Sequence, residues 1–113
     1  LSYKQQMLRR FRHAIQEHYQ ERGYSPEILA LAQGVSQRTV YTVFASAQSS
    51  FGRELASCRM ERARQILDSA KFDNTSIAEI CMMVGYFHPS HFITRFREAY
   101  GVAPFAYRAA RHG

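Results

Sequence analysis

Gln37, Arg38, Tyr41 and Thr42 stand at i, i+1, i+4 and i+5, so a helix through them would carry all four on its outer half. These side chains suit the edges of base pairs. An arginine fork matches the O6 and N7 of guanine, a glutamine amide matches adenine, and hydroxyl or methyl groups meet either. Fifty-two residues beyond Gln37 and Arg38 come Pro89 and Ser90, followed by His91 and Thr94, a second cluster on a second segment with shorter reach. These eight residues are the candidate base contacts. Ser36 and His88 directly precede the two segments, where helix N-termini present free N–H groups, and Arg95 and Arg97 lie downstream. These four are expected to hold phosphates, which position a protein without reading sequence.

The elements that must carry these residues repeat. Ser25, Leu29, Ala30 and Gly34 recur 51 residues later as Ser76, Ile80, Cys81 and Gly85, and Val40 and Phe44 recur 52 later as Phe92 and Phe96. A capping serine, an apolar pair whose second member is small, a glycine four residues on and two apolar residues four apart describe a helix-turn-helix. The first unit is expected over about 25–46 and the second over about 76–100, with a linker helix over about 50–70. In that linker Ala56, Met60, Ala63, Leu67 and Ala70 follow a 4-3-4-3 spacing, flanked by Leu55 and Ile66. A first helix over about 3–21 buries Met7, Phe11, Ala14, Ile15 and His18. The two reading helices turn Val40, Val43 and Phe44, and Phe92, Phe96 and Ala99, inward. A last helix, about 104–111, closes the chain by packing Phe105 and Tyr107. The fold class is therefore all-α, with about seven helices in one 113-residue domain.

Composition narrows the function. Fifteen Lys and Arg, thirteen of them Arg, against nine Asp and Glu give a net charge of +6, which favours a phosphate-bearing partner. Cys58 and Cys81 have no CxxC or CxxH companion, and His88 and His91 have no third ligand nearby in sequence, so no disulfide framework, metal site or cofactor is expected. Cys81 takes the place of Ala30 and reads as a small core residue. No apolar run is long enough for a membrane span, and no signal segment opens the chain, so a cytoplasmic protein is expected. Catalytic motifs such as HExxH, Walker or GxGxxG are absent, so no catalytic residues and no enzyme activity are expected. The start at Leu1, without Met, suggests a domain cut from something longer, although a processed terminus would look the same.

Ser76, Ile77, Ala78, Glu79, Ile80 and Cys81, then Gly85 and Tyr86, Ser90 and Phe92, Arg95 to Arg97, and Tyr100, Gly101, Pro104, Tyr107 and Arg108 together resemble the signature of the AraC/XylS family of bacterial transcription regulators. Gly34, Ser36, Arg38, Val40, Tyr41 and Phe44 resemble its first motif, and Arg59, Met60, Ala63, Arg64 and Leu67 its connecting helix. The resemblance implies two helix-turn-helix units on one DNA-binding domain. It also implies a separate effector-sensing or dimerising domain outside this chain, contact with RNA polymerase subunits, and activation as the commoner outcome. The chain departs from the family pattern at Phe87, at His88 and Pro89, at Thr94 and Arg95, and around Ala47 and Gln48, where a glycine is common. A linker of roughly 20 residues spans about 30 Å. Major-groove faces on one side of a duplex repeat about every 34 Å, so one chain is expected to insert two reading helices into adjacent groove segments of double-stranded DNA.

Overall fold

Serine hydroxyls start five of the helices. Ser2, Ser25, Ser36, Ser50 and Ser76 accept from the backbone N–H groups of Gln5, Ile28, Thr39, Arg53 and Glu79 at 3.1, 3.2, 3.1, 3.1 and 3.0 Å. Each satisfies a donor that a helix leaves without an internal partner. Ser2 and Gln5 complete a reciprocal capping box. The computed structural model describes residues 1–112, and among them the elements are seven α-helices and one 3-10 turn, with no strand. The helices are α1 (Tyr3–His18), α2 (Pro26–Gln33), α3 (Gln37–Ala45), α4 (Phe51–Asp68), α5 (Ile77–Met83), α6 (Pro89–Tyr100) and α7 (Pro104–His112). The 3-10 turn, Ala70–Phe72, follows α4.

The chain forms two compact units, residues 1–58 and Arg59 onward, with α4 supplying 51–58 to the first and 59–68 to the second. In the first unit Met7, Phe11 and Ile15 of α1 pack with Leu29 and Ala30 of α2 and with Val40, Val43 and Phe44 of α3. Phe11 and Phe44 lie at the centre, both fully buried, with ring centroids 5.8 Å apart. Burial of each such side chain contributes roughly 1.5–3 kcal/mol. Arg12 of α1 ties this core to α4 with two hydrogen bonds to Glu54, at 2.9 and 3.0 Å, and Ser49 donates to the same carboxylate at 2.7 Å. Burial pushes the Glu54 carboxyl up, but the bonds from Arg12 and Ser49 outweigh it and hold the group below its ordinary range.

In the second unit Met60, Ala63, Ile66 and Leu67 of α4 pack with Ile80 and Cys81 of α5 and with Phe92 and Phe96 of α6. α7 is fastened by polar contacts with the end of α4 and the segment after it. The Tyr107 hydroxyl donates to Asp68 at 2.8 Å, Arg108 donates to the Thr75 carbonyl at 2.6 Å, and Arg111 donates to the Leu67 carbonyl at 2.7 Å and pairs with Asp73. The bond to Leu67 satisfies a carbonyl that the helix end leaves open.

Several expected positions shift. α1 stops at His18, whose side chain is exposed and stacks on the Tyr24 ring rather than joining the buried face. α4 stops at Asp68, and Ala70 lies exposed in the 3-10 turn. Ala99 is exposed, since its part of the inner face of α6 is served by Tyr100, which packs on Phe96 at 4.8 Å. Phe105 is 74% exposed, and α7 turns Tyr107 toward Phe96 instead, at 5.6 Å.

Gln48 has φ 54°, the one non-glycine residue in the left-handed region among those described, where a Cβ costs about 1–2 kcal/mol. Gln48→Gly relieves this strain and returns part of the gain as unfolded-chain entropy, so a net stabilisation of about 0.5–1 kcal/mol is expected in urea unfolding. An unchanged midpoint would show that the strain has been relaxed elsewhere. The depressed Glu54 carboxyl contributes stability above its unfolded value of about 4.3, and loses it as pH falls through the lower folded value. Glu54→Gln is therefore expected to cost up to about 1 kcal/mol at pH 7, both partners keeping some solvent, and less at pH 2. Urea melts of both proteins at the two pH values check it.

Candidate nucleic-acid interface

The two helix-turn-helix turns are built by the same bonds. Gly34 N–H donates to Leu31 and Val35 N–H to Ala30, at 3.3 and 3.0 Å, while Gly85 N–H donates to Met82 and Tyr86 N–H to Cys81, at 3.2 and 3.0 Å. Both glycines take positive φ, 70° and 99°, which a residue with a Cβ would adopt only under strain. Ala30 and Cys81 are both buried where the helices cross. After the turns the offset changes from 51 to 52 because Phe87 adds a residue, and its ring stands exposed.

On α3 Arg38 and Thr42 emerge opposite Val40 and Phe44, Tyr41 emerges on a flank, and Gln37 lies in the first turn nearer the buried side. Gln37, Arg38, Tyr41 and Thr42 are exposed, Tyr41 by 72%, and the side chains of Gln37, Arg38 and Tyr41 make no hydrogen bond or ion pair among the described residues. They border a groove of about 460 Å³ whose other wall is the start of α4, at Ser50, Phe51 and Gly52. Thr42 differs: its hydroxyl donates to the Thr39 carbonyl at 3.2 Å, which leaves its methyl and lone pairs for a partner. Ser36 directs its hydroxyl to Thr39 N–H, so its contribution to an anion is the helix end rather than a free side chain.

On α6 the candidates divide into two stripes. At about 100° per residue, Ser90, Thr94 and Arg97 point away from Phe92 and Phe96, whereas His91, Arg95 and Glu98 form a flank. Thr94 donates to the Ser90 carbonyl at 3.0 Å, as Thr42 does to its own helix. Arg97 is exposed with no side-chain partner among the described residues. Arg95 donates to His91 Nε2 at 3.3 Å and to Glu98 at 2.6 Å, so the flank is a chain of paired groups. Pro89 opens α6, and His88 occupies the capping position without making a side-chain cap bond, so the first turn of α6 is left without a side-chain acceptor.

The flank is anchored from α4. The His91 ring meets the Tyr86 ring edge-on at 5.3 Å, and the Arg59 guanidinium lies over Tyr86, 5.2 Å from its centroid. Burial lowers the Arg59 pKa from its ordinary value and raises that of Tyr86. By spacing alone Arg53, Arg59, Arg62 and Arg64 of α4, interleaved with Glu54 and Glu61, read as a solvated, self-paired face. That description suits Arg64, which bridges Glu61 and Asp68 at 2.6 and 2.8 Å, but not Arg59. The His91, Arg95 and Glu98 chain was also missed, although its i, i+4, i+7 spacing was available. Among the described residues no group of three His, Cys, Asp or Glu side chains could hold a metal, and no helix is long and apolar enough to cross a membrane.

Two repeated helix-turn-helix units with exposed polar second helices on a basic chain define a DNA-binding domain of transcription regulators. Residues 29–110 match the family described as "Helix-turn-helix domain", and the chain belongs to the AraC/XylS family of transcription regulators, as a DNA-binding domain. It is 31% identical to the C-terminal domain of AraT, a response regulator from Geobacillus stearothermophilus, covering 97% of this chain and 87% of that one with a TM-score of 0.81. An AraC-type regulator from Chromobacterium violaceum is 27% identical at a TM-score of 0.69, covering 78% of this chain and 77% of that one. The transcriptional activator NphR of Rhodococcus sp is 29% identical over 101 residues, 89% of this chain. The chain spans 29% of that relative's length. The family is one of regulators, not of enzymes.

Proposed function

We propose that this domain is the DNA-reading part of a transcription activator, and that it inserts α3 and α6 into adjacent major-groove segments of one duplex. The observation that carries the two-segment reading is the repetition of the turn: both units use the same pair of backbone bonds and the same left-handed glycine. On this reading Arg38 addresses guanine and Gln37 adenine, while Tyr41, Thr42, Ser90 and Thr94 offer rings, lone pairs or methyls to base edges. His91 and Pro89 border that contact. Phosphates meet the N-terminal ends of α3 at Ser36 and of α6 at His88, together with Arg97, while Arg95, the fourth phosphate candidate, is engaged by Glu98 and His91. Activation is supported by the printed role of NphR. The rest of the proposed regulator, supported by the greater length of that relative, supplies effector sensing or dimerisation. Contacts with RNA polymerase subunits and a cytoplasmic location complete the proposal.

The two units should contribute unequally. The base-contact candidates of α3 include the long Gln37, Arg38 and Tyr41, without side-chain partners, whereas Ser90, His91 and Thr94 of α6 are short or paired within the helix. Selection of binding sites from a random duplex pool is expected to yield one well-defined half and, about 10 base pairs away, a weaker half dominated by shape. A motif confined to one half, with no protection of the other, would overturn two-segment reading.

Arg38→Ala is expected to cost about 1–3 kcal/mol at the preferred site and to relax preference at one or two base pairs. Arg97→Ala is expected to weaken all duplexes alike and to reduce the log-log salt slope by about 0.9, one phosphate. Titrations of selected and unrelated duplexes at two salt concentrations separate these outcomes, and a changed consensus in Arg97→Ala would reassign that residue to base reading.

A further inference from the structure

Arg95 is exposed on α6, yet its guanidinium is held on both sides. Nη1 donates to the Glu98 carboxylate at 2.6 Å, and Nε donates to His91 Nε2 at 3.3 Å. The His91 ring is itself steadied edge-on against buried Tyr86. These contacts commit the donors of the arginine on the flank of the helix, while Arg97, two residues on and about 200° round, stands without a side-chain partner on the outward stripe. The two cations are therefore not equivalent toward a polyanion. One is available as it stands, and the other must first leave a carboxylate whose own charge repels phosphate.

We propose that Glu98 limits the DNA affinity of this domain by holding Arg95, through a pairing that His91 aligns, away from the phosphate backbone. The inference rests on the reading that α6 meets DNA, and it adds to that reading a residue that contacts no DNA and sets how many cations the second unit presents. An exposed ion pair is weak, so Glu98 attenuates rather than blocks.

The test uses the 113-residue chain and a selected duplex, with binding measured across a salt series. Glu98→Ala is expected to tighten binding about fivefold near 0.1 M salt and to steepen the log-log slope by about 0.9, one added phosphate contact. Simple removal of a negative charge could also tighten binding, so Glu98→Ala is repeated in an Arg95→Ala background. If the gain passes through Arg95 it disappears there. A gain of equal size in both backgrounds overturns the proposal, and so does weaker binding by Glu98→Ala, which would make Glu98 an aid to Arg95 at the DNA. Arg97→Ala distinguishes the underlying reading: if it weakens binding while Glu98→Ala changes nothing, α6 meets DNA and the proposal alone fails. If neither variant changes affinity or slope, the placement of α6 on DNA fails with it. Glu98 is exposed and Ala favours helix, so matching thermal melts are expected to exclude a folding effect.

Discussion

Everything this domain presents outward depends on how closely two short helices can cross. A side chain larger than that of Ala30 or Cys81 would separate the helices at the crossing, and a turn without a glycine in the left-handed region would not return the chain in so few residues. The backbone bonds from Val35 to Ala30 and from Tyr86 to Cys81 then settle where the next helix begins. From that point the outward face follows from helical geometry. Once Val40 and Phe44, or Phe92 and Phe96, are buried, the residues opposite them have nowhere to go but out.

The arginines divide by what their donors already do. Arg12, Arg108 and Arg111 donate to a carboxylate or to backbone carbonyls, and Arg59 lies on an aromatic ring, so these four hold the fold. Arg64 is occupied on the surface of its own helix. A net charge of +6 therefore overstates the attraction available to a polyanion, and Arg38 and Arg97, whose donors are uncommitted, matter more than their number suggests. Tethering cations to neutral carbonyls also keeps α7 in place without adding a carboxylate for each arginine.

Where the sequence was legible, the signal was local or repeated. Serine caps, the proline at the start of α2 and of α6, and apolar residues four apart located every helix and most of the buried positions, because each of these acts within a turn or two of the chain. Most of the outward positions of α3 and α6 followed directly. What escaped was set by tertiary choice. His18 stays exposed against Tyr24, Ala99 gives way to Tyr100, and Phe105 yields to Tyr107, which meets Phe96 with its ring and Asp68 with its hydroxyl. The pairing of Arg95 with Glu98 was within reach of spacing alone, but spacing does not say whether a cation turns to its neighbour or to a ligand.

The extra residue in the second turn falls at a particular joint. By Tyr86 the bond back to Cys81 has closed the first helix, and by His88 the carbonyl that starts α6 is in place, so Phe87 interrupts neither ladder. A residue gained or lost there breaks no hydrogen bond of either helix, while it alters how the chain enters the second one. In evolutionary terms this is a hinge of ancestry. A lineage carrying two copies of one unit can re-aim a single copy by an insertion of one codon, and leave the backbone bonds of both helices, and the core of the other copy, untouched.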